Sequence, residues 1–333
     1  MPAANWVGDA VMSIPALHAL RAHLPNAHIS ILARSWVAGL YGREPFCDEI
    51  IPYDPPRGWR RMVHTASTAA ALRRRSFDCA ILLPNSFASA ALVRLARVPV
   101  RIGYARDARA WLLTHPVPVP RPGETPRHQR FYYLELLKRA RLIGAYSLEA
   151  PIRLSTAKAQ HHATRLIGVS PGAAYGGAKR WLPERFAEAA IHIARQQNAA
   201  TAIFGSKQER AICESVRRSI EAAGVACTSF AGETSLAEFI ELAAACDVFL
   251  TNDSGAMHIA SALGVPTVAI FGATDDEATG PTGSHCRVVR QPVECSPCLL
   301  RECPIDHRCM TRIDAARVAA TALSLLVPDR QNA

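Results

Sequence analysis

The sequence contains no apolar run of the roughly 18 residues that a helix needs to cross a bilayer. Its N-terminus also lacks the basic segment and apolar core of a secretory signal peptide. We therefore expect a cytoplasmic protein, in which the ten cysteines are reduced thiols or metal ligands. The 333 residues, 49% of them hydrophobic, suffice for two domains of roughly 100–200 residues each.

Two common phosphate-binding patterns are absent as well. The sequence has no Asp-x-Asp pair, which would supply oxygen ligands to a Mg²⁺ ion bridging a diphosphate. It also lacks the spacing of a P-loop. If the protein binds a nucleotide diphosphate, we expect lysine and backbone N–H groups to hold the phosphates, and no metal to be required.

Acidic residues are scarce in the first half of the chain. Residues 1–150 hold 20 Lys and Arg against 10 Asp and Glu, whereas residues 151–333 hold 18 of each. The excess lies in three groups: Arg57, Arg60 and Arg61; Arg73, Arg74 and Arg75; and Arg101, Arg106 and Arg109. An anionic partner would explain the excess, whether a membrane surface, a phosphorylated glycolipid or nucleic acid. Arginine-rich solvated surfaces would explain it equally well.

Short apolar runs alternate with helical stretches along the whole chain. Strands are predicted at 28–33, 49–53, 79–84 and 101–104, and again at 166–170, 200–205, 248–251 and 267–272. A proline-rich passage at 114–126 predicts a loop, and residues 131–144 predict a helix. This alternation predicts an α/β fold of two Rossmann-like domains with parallel sheets facing a cleft, one over residues 1–150 and one over 151–333.

The turn after residues 248–251 is a candidate phosphate site. Asp253 or Ser254 can cap the following helix, and Gly255 allows a ligand to approach the backbone. The free N–H groups and dipole of that helix suit a phosphate, and ligands of open α/β sheets bind at strand carboxyl ends. A capped helix without a ligand would give the same pattern.

Three further strand ends carry candidate donor-binding residues. After residue 170, a loop of small residues that includes Gly172 and Ala173 leads to Lys179, which could neutralise a pyrophosphate or be a solvated loop lysine. After residue 205, Glu209 could accept hydrogen bonds from ribose hydroxyls or be an ordinary acid in the first turn of a helix. Thr234 is a candidate helix cap and Leu236 could line a base pocket, although both also suit a cap and a core.

Four cysteines lie close together near the C-terminus. Cys295, Cys298, Cys303 and Cys309 are separated by two, four and five residues. Four thiolates could hold a structural Zn²⁺, yet only one pair has the Cys-x-x-Cys spacing of a zinc knuckle. Reduced thiols and fortuitous disulfides remain alternatives.

Taken in order, these motifs resemble one enzyme family. The segments NWVGD (5–9), LPNSFASA (83–90), PGAAYGGAKRW (171–181) and TNDSGAMHIA (251–260), together with the cysteine segment, are similar to those of the ADP-heptose:lipopolysaccharide heptosyltransferases. These enzymes form glycosyltransferase family 9, which has the GT-B fold. The similarity covers nearly the whole chain, and NSF-x-SA is typical of the heptosyltransferase II type.

The resemblance implies an inverting, metal-independent heptosyltransferase of lipopolysaccharide core biosynthesis. Its first domain would bind an anionic heptosyl-Kdo2-lipid A acceptor at the inner face of the inner membrane, and its second would bind ADP-heptose. The last helix often returns to the first domain in this family. The motifs assign Asp9 as catalytic base, although it could also cap the following helix, and Lys179 as phosphate ligand. Residues of donor binding would be Glu209, Asp253, Ser254, Gly255 and His258, the last of which could instead be a packing histidine.

Other functions fit parts of the sequence. A heptosyltransferase of type I or III, or a GT-B-like sugar-nucleotide epimerase, would keep the fold and change the substrates. A basic nucleic-acid-binding module fits less well, since the arginines lack interleaved aromatic residues. Family members carry a first strand ahead of the turn at Gly8 and Asp9, but only four residues precede NWVGD here. We therefore expect that strand to be missing, either because the start codon was assigned downstream of the true one, which we favour, or because the first domain lacks it.

Overall fold

The computed structural model describes residues 1–156 and 164–326, and the chain forms two compact units, Met1–Ala150 and Pro151–Ala333. Each unit consists of parallel strands connected by helices, which confirms the predicted α/β class. Within the described ranges, no helix is both long and apolar enough to traverse a bilayer.

The first unit contains two small parallel sheets. One pairs β1 with β2, and the other has the order β3-β4-β5. The strands are β1 (Ser30–Ala33), β2 (Glu49–Pro52), β3 (Cys79–Leu82), β4 (Val100–Tyr104) and β5 (His115–Val117). The helices are α1 (Val7–Met12), α2 (Ile14–His23), α3 (Ser35–Tyr41), α4 (Arg60–Arg74), α5 (Phe87–Leu95) and α6 (Gln129–Arg139).

Two sequence predictions for this unit were wrong in detail. The proline-rich passage is not entirely a loop, because β5 pairs with β4. A strand containing Pro116 is tolerated there because β5 lies at a sheet edge, where not every N–H needs a partner. The helix predicted to residue 144 ends at Arg139, since Arg141 adopts a positive φ of 59° that a right-handed helix cannot accommodate.

The first residues of the chain run beside β1. Pro2 forms a parallel bridge with Leu32, the Ala3 N–H donates to the Leu32 carbonyl at 2.9 Å, and the Leu32 N–H donates to the Met1 carbonyl at 2.8 Å. The segment ahead of α1 therefore satisfies backbone groups of β1 that would otherwise lack partners. That a full first strand is missing stays a prediction.

The second unit is built on one six-stranded parallel sheet. Its strands are β6 (Leu166–Ser170), β7 (Ala200–Ile203), β8 (Cys227–Ser229), β9 (Val248–Asn252), β10 (Thr267–Phe271) and β11 (Cys286–Arg290). Its helices are α7 (Pro183–Gln197), α8 (Arg210–Ala222), α9 (Leu236–Ala244), α10 (Gly255–Ala262), α11 (Asp276–Thr279), α12 (Arg308–Thr311) and α13 (Ala315–Leu325). Four of the six strands coincide with predicted apolar runs, whereas the edge strands β8 and β11 lack such runs.

In the strand order β11-β10-β9-β6-β7-β8, the side of the sheet on which successive strands are added switches between β6 and β9. This switch is called the reversal of the sheet below. The chain proceeds from β6 to one side through β7 and β8, then returns to continue on the other side from β9. Such a reversal leaves a crevice at the carboxyl ends of the two central strands.

The last described helix, α13, packs on α7 and on the sheet of its own unit. Val318, Ala319 and Ala322 of α13 are fully buried in the same core as Ile193 of α7 and Val268 of β10. The return of a last helix to the first unit stays a prediction.

Candidate functional site

The predicted donor-binding residues follow the strands at the reversal of the sheet. The loop at Gly172–Lys179 follows β6, and the turn at Asp253–Gly255 follows the neighbouring β9. Residues after β7 and β10, the flanking strands, reach the same edge because carboxyl ends of parallel strands share it. The structure thus brings together segments that lie far apart in the sequence.

Lys179 and Asp253 form the charged centre of this site. The Lys179 Nζ lies 2.5 Å from Oδ2 of Asp253, and the Thr274 hydroxyl donates to the same oxygen at 2.6 Å. Asp253 is only 5% exposed, and these two groups supply the hydrogen bonds that a buried carboxylate requires. Lys179 is therefore not a solvated loop lysine. Thr274, which follows β10, was not singled out from the sequence.

Asn252 holds the loop at residues 171–179, the glycine-rich loop, against β9. Its side-chain amide donates to the carbonyls of Pro171 at 2.8 Å and Gly172 at 3.3 Å, and its Oδ1 accepts from the Trp181 N–H at 2.9 Å. Asn252 and Trp181 are both completely buried. Their roles were missed from the sequence, although an asparagine at the end of a buried strand is an unusual polar residue for such a position.

The N-terminus of α10 opens on the same edge. Ser254 occupies the cap position, but its hydroxyl lies 3.1 Å from that of Thr251, and in the described structure its side chain makes no capping hydrogen bond to α10. The Asp253 carboxylate is likewise engaged elsewhere. The first N–H groups of the helix, beginning at Gly255, thus keep the positive potential that suits a phosphate. His258 lies one turn further and is 5% exposed.

Gly172 and Glu209 meet directly. A Cβ at Gly172 would lie 2.2 Å from the Glu209 Oε1, so a larger residue here would require the Glu209 side chain to move. Glu209 also accepts hydrogen bonds from the backbone and hydroxyl of Ser206 at 2.8 and 2.7 Å, forming a capping box. Glu209 therefore does act as an acid in the first turn of a helix, which was one of its two predicted roles. A contact of Glu209 with ribose stays a prediction.

The predicted cap at Thr234 was wrong. Ser235 caps α9, because its hydroxyl accepts from the Glu238 N–H at 3.3 Å while the Glu238 carboxylate accepts from the Ser235 N–H at 2.7 Å. This capping box leaves Thr234 one residue outside the helix. Leu236 is the first residue of α9 and is half-buried. Its role in a base pocket stays a prediction.

The segment that carries the four cysteines braces the glycine-rich loop. The carbonyl of Arg301 accepts from the Ala178 N–H at 2.9 Å, and a Cβ at Gly176 would lie 2.2 Å from that carbonyl oxygen. The Tyr175 hydroxyl donates to the Leu299 carbonyl at 2.8 Å, and the Gly177 N–H donates to Glu302 at 2.9 Å. The segment is therefore part of the wall that shapes the loop.

The cysteine thiols do not form a metal site. Across residues 1–156 and 164–326, no three His, Cys, Asp or Glu side chains converge as ligands, so the Zn²⁺ considered for Cys295, Cys298, Cys303 and Cys309 finds no support. All ten cysteines of the chain are free thiols. Burial, together with the other three thiols, raises the pKa of Cys309 to about 11.

Asp9 lies in the first turn of α1, as its third residue. The Tyr133 hydroxyl, from α6, donates to the Asp9 Oδ1 at 3.2 Å. Burial and the nearby Asp9 carboxylate raise the pKa of Tyr133 well above its usual value, so this phenol stays protonated. Asp9 does not occupy the cap position, which belongs to Trp6.

The basic residues of the first unit differ in their surroundings. Arg109 is completely buried, and it donates to the Tyr104 carbonyl and to the Asn85 Oδ1, both at 3.1 Å. Its guanidinium supports the loop after β3 and is not available to an anionic partner. Arg57, Arg60 and Arg61 are exposed.

Comparison with known proteins identifies the family. The profile of glycosyltransferase family 9 (heptosyltransferase) matches residues 65–308, well over half of the chain. Lipopolysaccharide heptosyltransferase 2 of Escherichia coli K12 is 30% identical over 299 residues, with 86% of each chain covered, and that of Salmonella typhimurium LT2 is 31% identical over 300 residues, also with 86% of each covered.

A solved structure agrees with these relatives. That of E. coli ADP-heptose lps heptosyltransferase II superimposes with a TM-score of 0.83 and 28% identity, covering 98% of this chain and 97% of the other. The match confirms both the GT-B fold and the family that the motifs predicted. The chain therefore belongs to glycosyltransferase family 9, the heptosyltransferases, and is a glycosyltransferase.

Proposed function

We propose that the protein transfers heptose from ADP-L-glycero-D-manno-heptose to the heptose of the lipopolysaccharide inner core, as a heptosyltransferase of type II. The observation that carries the donor half of this proposal is the meeting of Lys179 with Asp253 at the reversal of the six-stranded sheet, beside the N-terminus of α10. The acceptor half is supported by the relatives, which are lipopolysaccharide heptosyltransferases 2.

The donor diphosphate would bind between the glycine-rich loop and α10. Lys179 supplies one positive charge, and the N–H groups from Gly255 onward supply further donors. Because Lys179 also pairs with Asp253, the lysine is held in one orientation and can bridge the carboxylate and a phosphate oxygen. These groups would stabilise the negative charge that develops on ADP as it leaves. Ala173 and Glu209 would face the nucleoside, and Asp253 would orient sugar hydroxyls.

Asp9 would act as the general base. It would take the proton of an acceptor hydroxyl while that oxygen attacks the anomeric carbon opposite to ADP, so that the configuration inverts. The hydrogen bond from Tyr133 favours the ionised carboxylate that this step requires. The sequence offers no Asp-x-Asp pair, and we expect transfer without a metal ion.

The acceptor would be heptosyl-Kdo2-lipid A, an anionic glycolipid, bound by the basic first unit at the inner face of the inner membrane. The net charge of +10 in this unit supports an acidic substrate. A heptosyltransferase of type I or III is the alternative, and it differs in the number of heptoses already present on the acceptor.

The test is a transfer assay with purified protein, ADP-heptose and acceptors that carry no, one or two heptoses. We expect ADP release with the single-heptose acceptor. Release with the heptose-free acceptor alone would indicate type I, and no release above the acceptor-free control would refute the proposal.

A matched pair of variants tests the base. Asp9→Asn should lower kcat by about 10²–10⁴ and keep ADP binding, because general base catalysis contributes that much. Asp54→Asn removes an exposed carboxylate of the same unit and should leave kcat unchanged. Full activity in Asp9→Asn would exclude Asp9 as the base.

A further inference from the structure

Three strongly exposed apolar side chains lie at the start of α4, and two of them, Met62 and Trp59, are the most exposed large apolar side chains of the described structure. Met62 is 77% exposed, Trp59 is 73% exposed and Val63 is 61% exposed. They lie together at the start of the helix, where Trp59 is the cap residue. Single exposed apolar residues need no explanation, but a contiguous group that includes tryptophan indicates an interaction surface.

The apolar positions of α4 continue along its solvent face. Ala69 and Leu72 are buried in the core beneath the helix, so the opposite face points to solvent. Four exposed positions at helical spacing, Trp59, Val63, Ala66 and Ala70, are apolar and form a stripe to one side of the buried face. The positions directly opposite the buried face, Arg60, Ser67 and Arg74, are polar. A helix of a water-soluble unit normally presents polar side chains at all such exposed positions. The pattern gives α4 a second, exposed apolar stripe beside the one that packs in the core.

Arginines flank this stripe on both ends. Residues 55–77 contain six arginines and no Asp or Glu. Arg75 pairs with Glu49, whereas Arg57, Arg60, Arg61 and Arg74 form no ion pair with any described residue. Positive charge in the first turn also opposes the helix dipole, so helix stability does not explain Arg60 and Arg61. The charge therefore suits an anionic partner.

We propose that this face of α4 docks the protein on a bilayer that contains anionic phospholipid. Trp59, Met62 and Val63 would enter the interfacial region while the arginines contact lipid phosphates, as in interfacial amphipathic helices. A second copy of the chain would oppose arginine with arginine, and a nucleic acid would leave the apolar stripe without a partner. The inference deepens the proposed function, since an enzyme acting on a lipid-linked acceptor gains from being held at the membrane.

The test measures binding of the full chain to vesicles of phosphatidylethanolamine with phosphatidylglycerol, by co-sedimentation, with pure phosphatidylcholine vesicles as the neutral reference. We expect binding to the anionic vesicles that weakens with salt. The double variant Trp59→Ser, Val63→Ser should bind about tenfold less. Replacing Arg57, Arg60 and Arg61 by Gln should lower binding about a hundredfold at low salt.

The matched control is Trp111→Ser, which removes a tryptophan outside α4 that is 64% exposed, against 73% for Trp59. It should bind like the wild type. Because all these side chains are exposed, each variant should keep the wild-type unfolding temperature, which is measured alongside. Equal binding of the wild type and both α4 variants would overturn the proposal, as would equal losses in the α4 variants and Trp111→Ser.

A transfer assay separates this inference from the proposed function. With a deacylated, water-soluble acceptor, Trp59→Ser, Val63→Ser should transfer heptose at the wild-type rate, and with the acceptor in vesicles it should be slower. Loss of transfer on the deacylated acceptor would overturn the docking role, because the stripe would then belong to the acceptor site. Absence of transfer by the wild type on both acceptors would refute the proposed function, while vesicle binding would still decide the docking surface.

Discussion

Replacing Asn252 by alanine should disrupt the donor site without touching any group that contacts the donor. The side chain makes three buried hydrogen bonds, to Pro171, Gly172 and Trp181. At a net value of about 1 kcal/mol for each bond, the variant should lose about 3 kcal/mol of unfolding free energy. For a unit of this size, the unfolding midpoint should fall by about 6–12 °C.

The same substitution should also weaken nucleotide binding. Without Asn252, the glycine-rich loop loses its attachment to β9, and Lys179 at the end of that loop is no longer fixed beside Asp253. We expect the Kd for ADP, measured by isothermal titration calorimetry below the unfolding transition, to rise at least about tenfold, or about 1.4 kcal/mol.

A control variant separates the loss of stability from the loss of the loop. Ile220→Ala in α8 removes a fully buried core side chain and should cost about 2–5 kcal/mol. Ile220 lies outside the glycine-rich loop, so the Kd for ADP should stay at the wild-type value. If Asn252→Ala and Ile220→Ala both destabilise the protein and both leave the Kd unchanged, the reasoning that Asn252 positions the loop is refuted.

Two further predictions follow from the protonation of buried groups. Tyr133→Phe deprives the Asp9 carboxylate of a donor that favours its ionised form, so the acid limb of the pH profile of kcat/KM should move to higher pH; an unchanged limb would contradict the assigned role. The pKa of Cys309 is raised to about 11, which leaves about one thiolate in a thousand at pH 8. Iodoacetamide should therefore label the exposed Cys295 before the buried Cys309, as read by peptide mass spectrometry. Since the unfolded chain releases this proton earlier, near the ordinary value of 9.0, Cys309 should reduce stability as pH rises between 9.0 and about 11, and Cys309→Ser should lessen that decline.

The sequence alone predicted the class of the fold and the family. The apolar runs at β6, β7, β9 and β10 are buried on both faces of a parallel sheet, so each one is visible as a local pattern. The residues that follow them were chosen as the candidate site because ligand-binding turns occupy strand carboxyl ends, and their role in donor binding stays a prediction. Edge strands such as β8 escaped notice, since an edge strand needs no continuous apolar run.

Only the tertiary structure decided which side chains meet. Lys179 and Asp253 are 74 positions apart in sequence, and Tyr133 and Asp9 are 124 apart. Their pairing depends on the order of strands in the sheet and on the packing of helices, neither of which any local pattern contains. The structure likewise showed that the cysteine segment hydrogen-bonds to the glycine-rich loop. It also showed that the apolar stripe of α4 is exposed to solvent. Local patterns record which residues must be buried, whereas the choice of partners is made by the assembled fold.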